Sequence, residues 1–218
     1  MKNVFKIGLF LIAGVSWLLL AIYFSRLPEL IPIHWNIHGE IDRWGSKNWA
    51  ILLPGIISLT VVLAFVLPLI SPRGFRLDGA THALVKVIFW ISAYLLLVQW
   101  LILQASLNPE MDLIRWLFMA TGGLLVAVGN LLGKFPKNFF VGVRTPWTLA
   151  NDTVWDKTHR LARTCFVVAG MILPASAIYA RQSGWLVAGA ILLAVLVPVV
   201  YSYIAYRQQE RSVYGKRG

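Results

Sequence analysis

Apolar residues in this chain gather into six long, nearly unbroken runs separated by short polar segments: Val4–Phe24, Trp49–Ile70, Ala83–Ala105, Leu113–Leu132, Leu161–Ala180 and Trp185–Tyr206. A helix rising 1.5 Å per residue needs about 20 apolar residues to cross a hydrocarbon core about 30 Å thick. Each run predicts one such helix, so the expected fold class is all-α, a polytopic membrane protein with six transmembrane helices. Composition agrees, because 58% hydrophobic residues, only 13% charged ones and a mean hydropathy of +0.70 exclude a water-soluble domain of 218 residues. The first run is too long for the apolar core of a signal peptide and is followed by Ser25-Arg26-Leu27-Pro28 instead of a small-residue cleavage site, so it is expected to remain as a helix.

The polar segments orient the spans. One side collects 15 basic residues: Lys2, Lys6, Arg73, Arg76, Lys86, Lys134, Lys137, Arg144, Lys157, Arg160, Arg163, Arg207, Arg211, Lys216 and Arg217. The other side has 5, namely Arg26, Arg43, Lys47, Arg115 and Arg181. The positive-inside rule therefore puts both termini in the cytoplasm. The net charge of +11 is this bias plus attraction to anionic membrane lipids, and no basic run is dense enough to predict a nucleic-acid partner. Trp49 and Trp185 at the start of outer-side runs, and Tyr201, Tyr203 and Tyr206 above Arg207, fit an interfacial aromatic belt. The lone cysteine, Cys165, has no internal disulfide partner and reads as a small packing residue.

Within the runs chemistry is sparse. Gln99, Gln104 and Asn130 are polar, but no carboxylate lies deep in any run, so the proton relay or cation site of a pump is missing from the pattern. Pro54, Pro68, Pro174 and Pro198 are read as tolerated helix prolines, with the broken helices of a transporter as the alternative. Gly122-Gly123 and Gly129-x-x-x-Gly133 predict close helix approach, within the chain or in a dimer.

Two loops hold most of the remaining polar residues, one on each side of the membrane. The outer loop, 25–48, would close an N-terminal two-helix domain spanning 1–80, and the inner loop, 134–160, would sit within a four-helix domain spanning 81–218. In the outer loop Pro28 and Pro32 force extended backbone, Gly39 and Gly45 permit turns, and Ser46 is placed to cap the next helix. His34, His38, Glu40 and Asp42 make a metal-ligand inventory only if the i, i+4 histidines share a helix, which Pro32 and Gly39 oppose, so a hydrogen-bonded structural loop is expected and no metal. Asp42 beside Arg43 reads as a local ion pair. In the inner loop, Phe139–Arg144 predicts an extended or membrane-skimming segment ended by Pro146. Thr148 or Asn151 would then cap a helix that places Val154, Trp155, Thr158, Leu161, Ala162 and Cys165 on one face. Arg144 suits a bidentate grip on a carboxylate or phosphate, or contact with headgroups or helix carbonyls.

At these loops the chain resembles a known family. Leu27-Pro-Glu-x-Ile-Pro-Ile-His-Trp-Asn-x-x-Gly-Glu-x-Asp-Arg-Trp-Gly-Ser-Lys looks like the N-terminal domain found in many bacterial multispan membrane proteins. Gly129-Asn130, Asn138-Phe-Phe-Val-Gly-Val-Arg-Thr-Pro-Trp-Thr-Leu, Val154-Trp155 and Thr158-His159-Arg160 look like the SdpI family, named for an immunity protein against a sporulation-delaying peptide toxin. The resemblance implies a bacterial plasma-membrane protein that protects its cell from a secreted peptide toxin and, in the founding case, holds a transcriptional repressor at the membrane. Its outer pattern falls on His34, Asn36, Gly39, Asp42 and Gly45, and the outer residues expected to face a toxin are His34, Asn36, Gly39, Glu40, Asp42, Arg43 and Trp44. Its inner pattern falls on Asn130, Asn138, Gly142, Arg144, Thr145, Pro146, Trp147, Thr148, Trp155 and His159, which with Asn151 and Arg160 are expected to face a cytoplasmic partner. Two departures stand out: His38 lies outside the outer pattern, and Pro136 sits one residue away from the expected turn position.

The resulting expectation is an immunity and signalling protein without a catalytic residue or cofactor, since neither loop contains a nucleophile with a recognisable base. The alternatives are a carrier or surface enzyme acting on a lipid headgroup or an ion through His34, Asp42 and Arg144, and a structural scaffold. The charge count makes the topology testable. A reporter active only outside the cell should be bright when fused after Asn108 and silent after Gly218; the reverse pattern would invert the loop assignments.

Overall fold

The computed structural model describes residues 4–36, 40–70, 81–179 and 184–214. In chain order it consists of helix α1 (Val4–Phe24), strands β1 (Leu30–Trp35) and β2 (Ile41–Ser46), a 3-10 turn (Lys47–Ile51), and helices α2 (Leu52–Leu69), α3 (Thr81–Leu107), α4 (Leu113–Leu132), α5 (Pro146–Ala150), α6 (Asp152–Tyr179) and α7 (Gly184–Tyr214). Among the described residues six helices are long and apolar enough to cross a membrane, at the positions of the six runs. The helices overrun the apolar runs mainly at the polar ends, α6 by nine residues before Leu161 and α7 by eight after Tyr206. Hydropathy reports the lipid-crossing part of a helix and not its full length.

Pro68, Pro174 and Pro198 lie inside α2, α6 and α7, which continue through them, so these prolines do not divide spans into half-helices. Asp112 begins α4 by accepting from Arg115 N–H at 3.2 Å. The outer loop goes beyond the expected extended backbone: β1 and β2 pair antiparallel, Leu30 opposite Ser46 and Trp35 opposite Ile41, with irregular register around His34. Ser46 caps the 3-10 turn, accepting from Asn48 N–H at 3.4 Å.

Helices α1, α2 and α3 pack on one another, α3 packs on α4, and α4 packs on α6, which also packs on α7. Among the described residues four apolar clusters fill the joints. At one end Leu9, Val61, Leu84, Ile88, Leu131, Phe135 and Trp155 join α1, α2, α3, α4 and α6. At the other, Leu27 and Ile31 beneath the hairpin meet Leu103, while Trp35 packs against the Leu101, Ala105 and Leu113 group.

The densest joint is α4 on α6, and it is made possible by glycine. A Cβ at Gly122 would lie 2.6 Å from the Gly170 carbonyl oxygen and one at Gly170 would lie 2.7 Å from that of Gly122, so the two backbones touch. Gly129 lies equally close to Phe166, where a Cβ would come within 2.8 Å of the Phe166 Cβ. Gly122 and Gly129 therefore serve packing within the chain, whereas Gly123 and Gly133 make no close approach to α6. Gly122→Ala should accordingly destabilise the protein by about 1–3 kcal/mol, the usual cost of overpacking. Gly123→Ala, with open space around it, should be neutral. Thermal unfolding in detergent, compared between the two variants, checks this.

Candidate functional site

The inner loop is held by side chains that sequence alone presents as candidates for partner contact. Asn138 is fully buried and satisfies its whole amide: Nδ2 donates to Pro136 O at 3.0 Å and Val141 O at 3.1 Å, and Oδ1 accepts from Phe140 N–H at 2.9 Å and Val141 N–H at 2.8 Å. One side chain thus folds residues 136–141 into a compact turn. Phe140 and Val141 then pack onto the cluster formed by Leu9, Leu84 and Trp155, so the segment expected to be extended or membrane-skimming is a bent plug on the end of the bundle.

Beneath the plug lies a stacked pair from α6. Trp155, 1% exposed, donates from Nε1 to Phe135 O at 2.9 Å, and its ring stacks on His159 with centroids 4.0 Å apart. The buried His159 places Nδ1 2.8 Å from Trp155 O, and Nε2 lies 3.0 Å from the Val143 amide, which can only donate. These partners define a neutral imidazole, with the proton on Nδ1 and the lone pair on Nε2. Gly142 passes over this ring at φ +121°, a conformation that favours glycine, and a Cβ there would run into His159 Nε2.

The chain next turns into α5. Thr145 and Thr148 form a reciprocal capping box: Thr148 N–H reaches Thr145 Oγ1 at 3.2 Å, and Thr145 N–H reaches Thr148 Oγ1 at 2.9 Å. Thr148 Oγ1 also donates toward Val143 O at 2.8 Å. It is Thr145 that caps α5, while Asn151 caps α6 by accepting from Val154 N–H at 3.1 Å. Thr145 Oγ1 lies 2.9 Å from Ser202 Oγ, and the Trp147 ring lies 5.0 Å from that of Tyr203, so α5 is clipped to α7. The expected face of α6 is confirmed: Val154, Trp155, Thr158, Ala162 and Cys165 are buried and Leu161 half-buried.

Asn138, Thr145, Thr148, Trp155 and His159 are thus interior and shape the loop. The surface they leave for another molecule consists of Arg144, Pro146 and Arg160, which are exposed, with Trp147, Gly142 and Asn151 partly exposed. Arg144 Nη1 donates to Phe139 O at 2.5 Å, a loop carbonyl and not one of the helix carbonyls expected as an alternative, while the residue as a whole stays exposed. Asn130, exposed on α4, donates to Val126 O and lies 3.4 Å from Arg163 Nη2. An ion pair that sequence reading missed, Lys137 Nζ to Asp152 Oδ1 at 2.6 Å, ties the start of the loop to the first turn of α6. No spacing rule links those two residues, because their proximity depends on the whole loop path.

On the hairpin, His34 Nδ1 and Asp42 Oδ1 are 2.6 Å apart. Asp42 therefore pairs across the strands and not with Arg43, because successive strand residues point to opposite faces. Asn36 Nδ2 donates to Glu40 Oε2 at 2.8 Å, and Asn36 Oδ1 accepts from Glu40 N–H at 3.0 Å. Lys47 pairs with Glu29 at 2.8 Å across the hairpin base. Arg43 and Trp44 are exposed, and Gly45 lies against Ile33 and Trp49, with no room for a Cβ. His38 and Gly39 lie outside the described residues. Among those described, no group of three or more His, Cys, Asp or Glu is placed to hold a metal.

His159→Ala removes the acceptor of the Val143 amide and the stack on Trp155, so it should loosen residues 139–145 by about 1–3 kcal/mol. Gly142→Ala should do the same from the other side. Hydrogen–deuterium exchange of that segment should accelerate at least roughly fivefold in both variants, whereas Arg160→Ala should leave it unchanged.

Comparison with known proteins agrees with this layout. The SdpI/YfhL protein family model matches residues 134–202, the inner loop with α5, α6 and most of α7. A family described only as a domain of unknown function, DUF1648, matches residues 11–58, which include the hairpin. The chain is 28% identical over 208 residues to the "Immunity protein SdpI" of Bacillus subtilis (strain 168), covering 95% of this chain and 97% of that protein. It is 32% identical over 66 residues to an uncharacterized protein of Archaeoglobus fulgidus, covering 30% of this chain and 36% of that one. No solved structure matches. With six helices able to span a membrane and this similarity along almost its whole length, the chain is a multi-pass bacterial membrane protein that is similar to the SdpI/YfhL family over residues 134–202.

Proposed function

We propose that this protein protects a bacterial cell from a secreted peptide toxin that acts at the plasma membrane, with the hairpin facing outward and the α5 end facing the cytoplasm. The observation that carries the reading is similarity to an immunity protein over 95% of the chain, including both shaped loops. The geometry supports it in a specific way. Each loop is fixed by internal hydrogen bonds, the hairpin by its ladder and the inner loop by Asn138, His159 and Thr148, so each presents a preformed surface. Preformed surfaces bind with little ordering cost.

The inner surface is where a cytoplasmic partner, a transcriptional repressor in the finer reading, would dock. Its exposed elements are Arg144, Pro146 and Arg160 with the flank of Trp147, a planar cation beside a rigid apolar corner. That combination suits a helical or carboxylate-bearing protein surface. No step in this function requires a reacting side chain, so the protein is read as a non-enzyme.

Arg144→Lys keeps the charge but loses the planar fork. It should weaken partner engagement by about 1.5–3 kcal/mol, the worth of a charged hydrogen-bonded contact. Toxin survival together with reporter induction, measured at matched membrane abundance, reads this out. Wild-type values for both would leave Arg144 as a loop cap and lipid anchor.

A further inference from the structure

A cavity of about 300 Å³ lies beneath the hairpin, walled by Ile31, Ile33 and Trp35 of β1, by Trp49 and Leu53, and by Gln99 of α3. It is a site of its own, since none of the exposed hairpin polar residues lines it. Its volume is at the small end of ligand pockets. Gln99 lies eight residues before the end of α3, about 12 Å along the helix axis, so the cavity reaches from the interface into the apolar layer. Trp49 and Leu52, the most exposed of the lining residues, place its mouth on the lipid-facing flank of α2. A molecule already partitioned into the hairpin-side leaflet enters sideways, whereas one arriving from water has to pass the hairpin.

Gln99 selects among such molecules. The side chain is 1% exposed; Oε1 accepts from Ser16 Oγ, and Nε2 donates to Ser16 O at 2.9 Å. A primary amide has two N–H donors, and among the described residues the second has no partner. In an otherwise apolar cavity, an unpaired N–H favours an occupant that brings a hydrogen-bond acceptor next to apolar bulk. A hydrocarbon tail has no acceptor along its length. An extended peptide has a carbonyl beside every side chain.

We propose that this cavity receives one apolar side chain of a membrane-inserting peptide, with the adjoining backbone carbonyl accepting from Gln99 Nε2. The inference rests on the immunity reading for the peptide's identity as a toxin, while the binding chemistry stands on the cavity. Ala50 lines the same space, and Ala50→Phe fills it without touching a hydrogen bond.

The test uses the full-length protein in phosphatidylcholine–phosphatidylglycerol vesicles and N-acetyl-4-bromophenylalanine amide, whose bromine quenches Trp35 and Trp49. Wild type should show saturable quenching that weakens at least about tenfold in Ala50→Phe. A brominated ethylbenzene without the amide should bind several-fold more weakly, because the Gln99 donor is then left unpaired. Gln99→Leu should erase that preference, and Ala50→Phe with a wild-type melting temperature decides the matter if Gln99→Leu does not fold. Absence of a saturable component in wild type, or equal quenching in Ala50→Phe, overturns the proposal. So does quenching by brominated phosphatidylcholine that drops in Ala50→Phe and is not displaced by the amide, which would make the site a lipid-tail pocket. Cell survival separates the two readings: full protection by Ala50→Phe overturns the pocket and leaves immunity standing, whereas a wild-type chain that binds the probe but protects no cell removes immunity and leaves the peptide-binding cavity.

Discussion

Hydrocarbon supplies no hydrogen-bond partner, and most of this architecture follows from that constraint. Among the described residues, several polar side chains inside the spans pair across helices: Ser16 with Gln99 joins α1 to α3, Thr60 with Ser92 joins α2 to α3, Trp17 with Ser58 joins α1 to α2, and Tyr94 with Thr121 joins α3 to α4, while Ser106 and Ser176 bond back to their own helices. Each bond adds only a modest amount to helix association. Together they fix which faces meet in a set of helices whose outer surfaces are otherwise uniformly greasy.

The same constraint explains why irregular backbone is confined to the ends and stapled there. The inner loop could not lie against the bundle with open amides, so Asn138 takes four hydrogen bonds, His159 accepts the Val143 amide and Thr148 reaches the Val143 carbonyl. With its polarity absorbed internally, the loop can set Phe140, Val141 and Leu149 onto the cluster that holds α1, α2, α3 and α4 together. The loop that resembles a recognition surface in sequence is therefore also the floor of the core, and the matched family region is physically continuous with the N-terminal helices.

Six spans and their order were legible in the sequence because an apolar run of bilayer length is rarely stable anywhere except across a bilayer. Leu113–Leu132 and Val4–Phe24 coincide with the observed helices to the residue. The hairpin was legible only as extended and folded, since an irregular ladder without a tight-turn signal at its tip offers no clear period of two. Within the inner loop, residue types indicated importance but not orientation. Asn138, Thr145, Thr148, Trp155 and His159 were placed with Arg144 and Arg160 as a single surface, and the structure divides them into a buried frame and an exposed rim. Hydrogen bonds between residues 16 apart, such as Val143 to His159, come from the path of the chain, which local spacing does not encode.

The contact between Gly122 and Gly170 sits midway along α4 and well inside α6. About two helical turns further along α4, Gly129 meets Phe166 just as closely. Held at two heights, the pair resists tilting as well as separation, so α4 and α6 form a single stiff strut between the α5 end and the hairpin side.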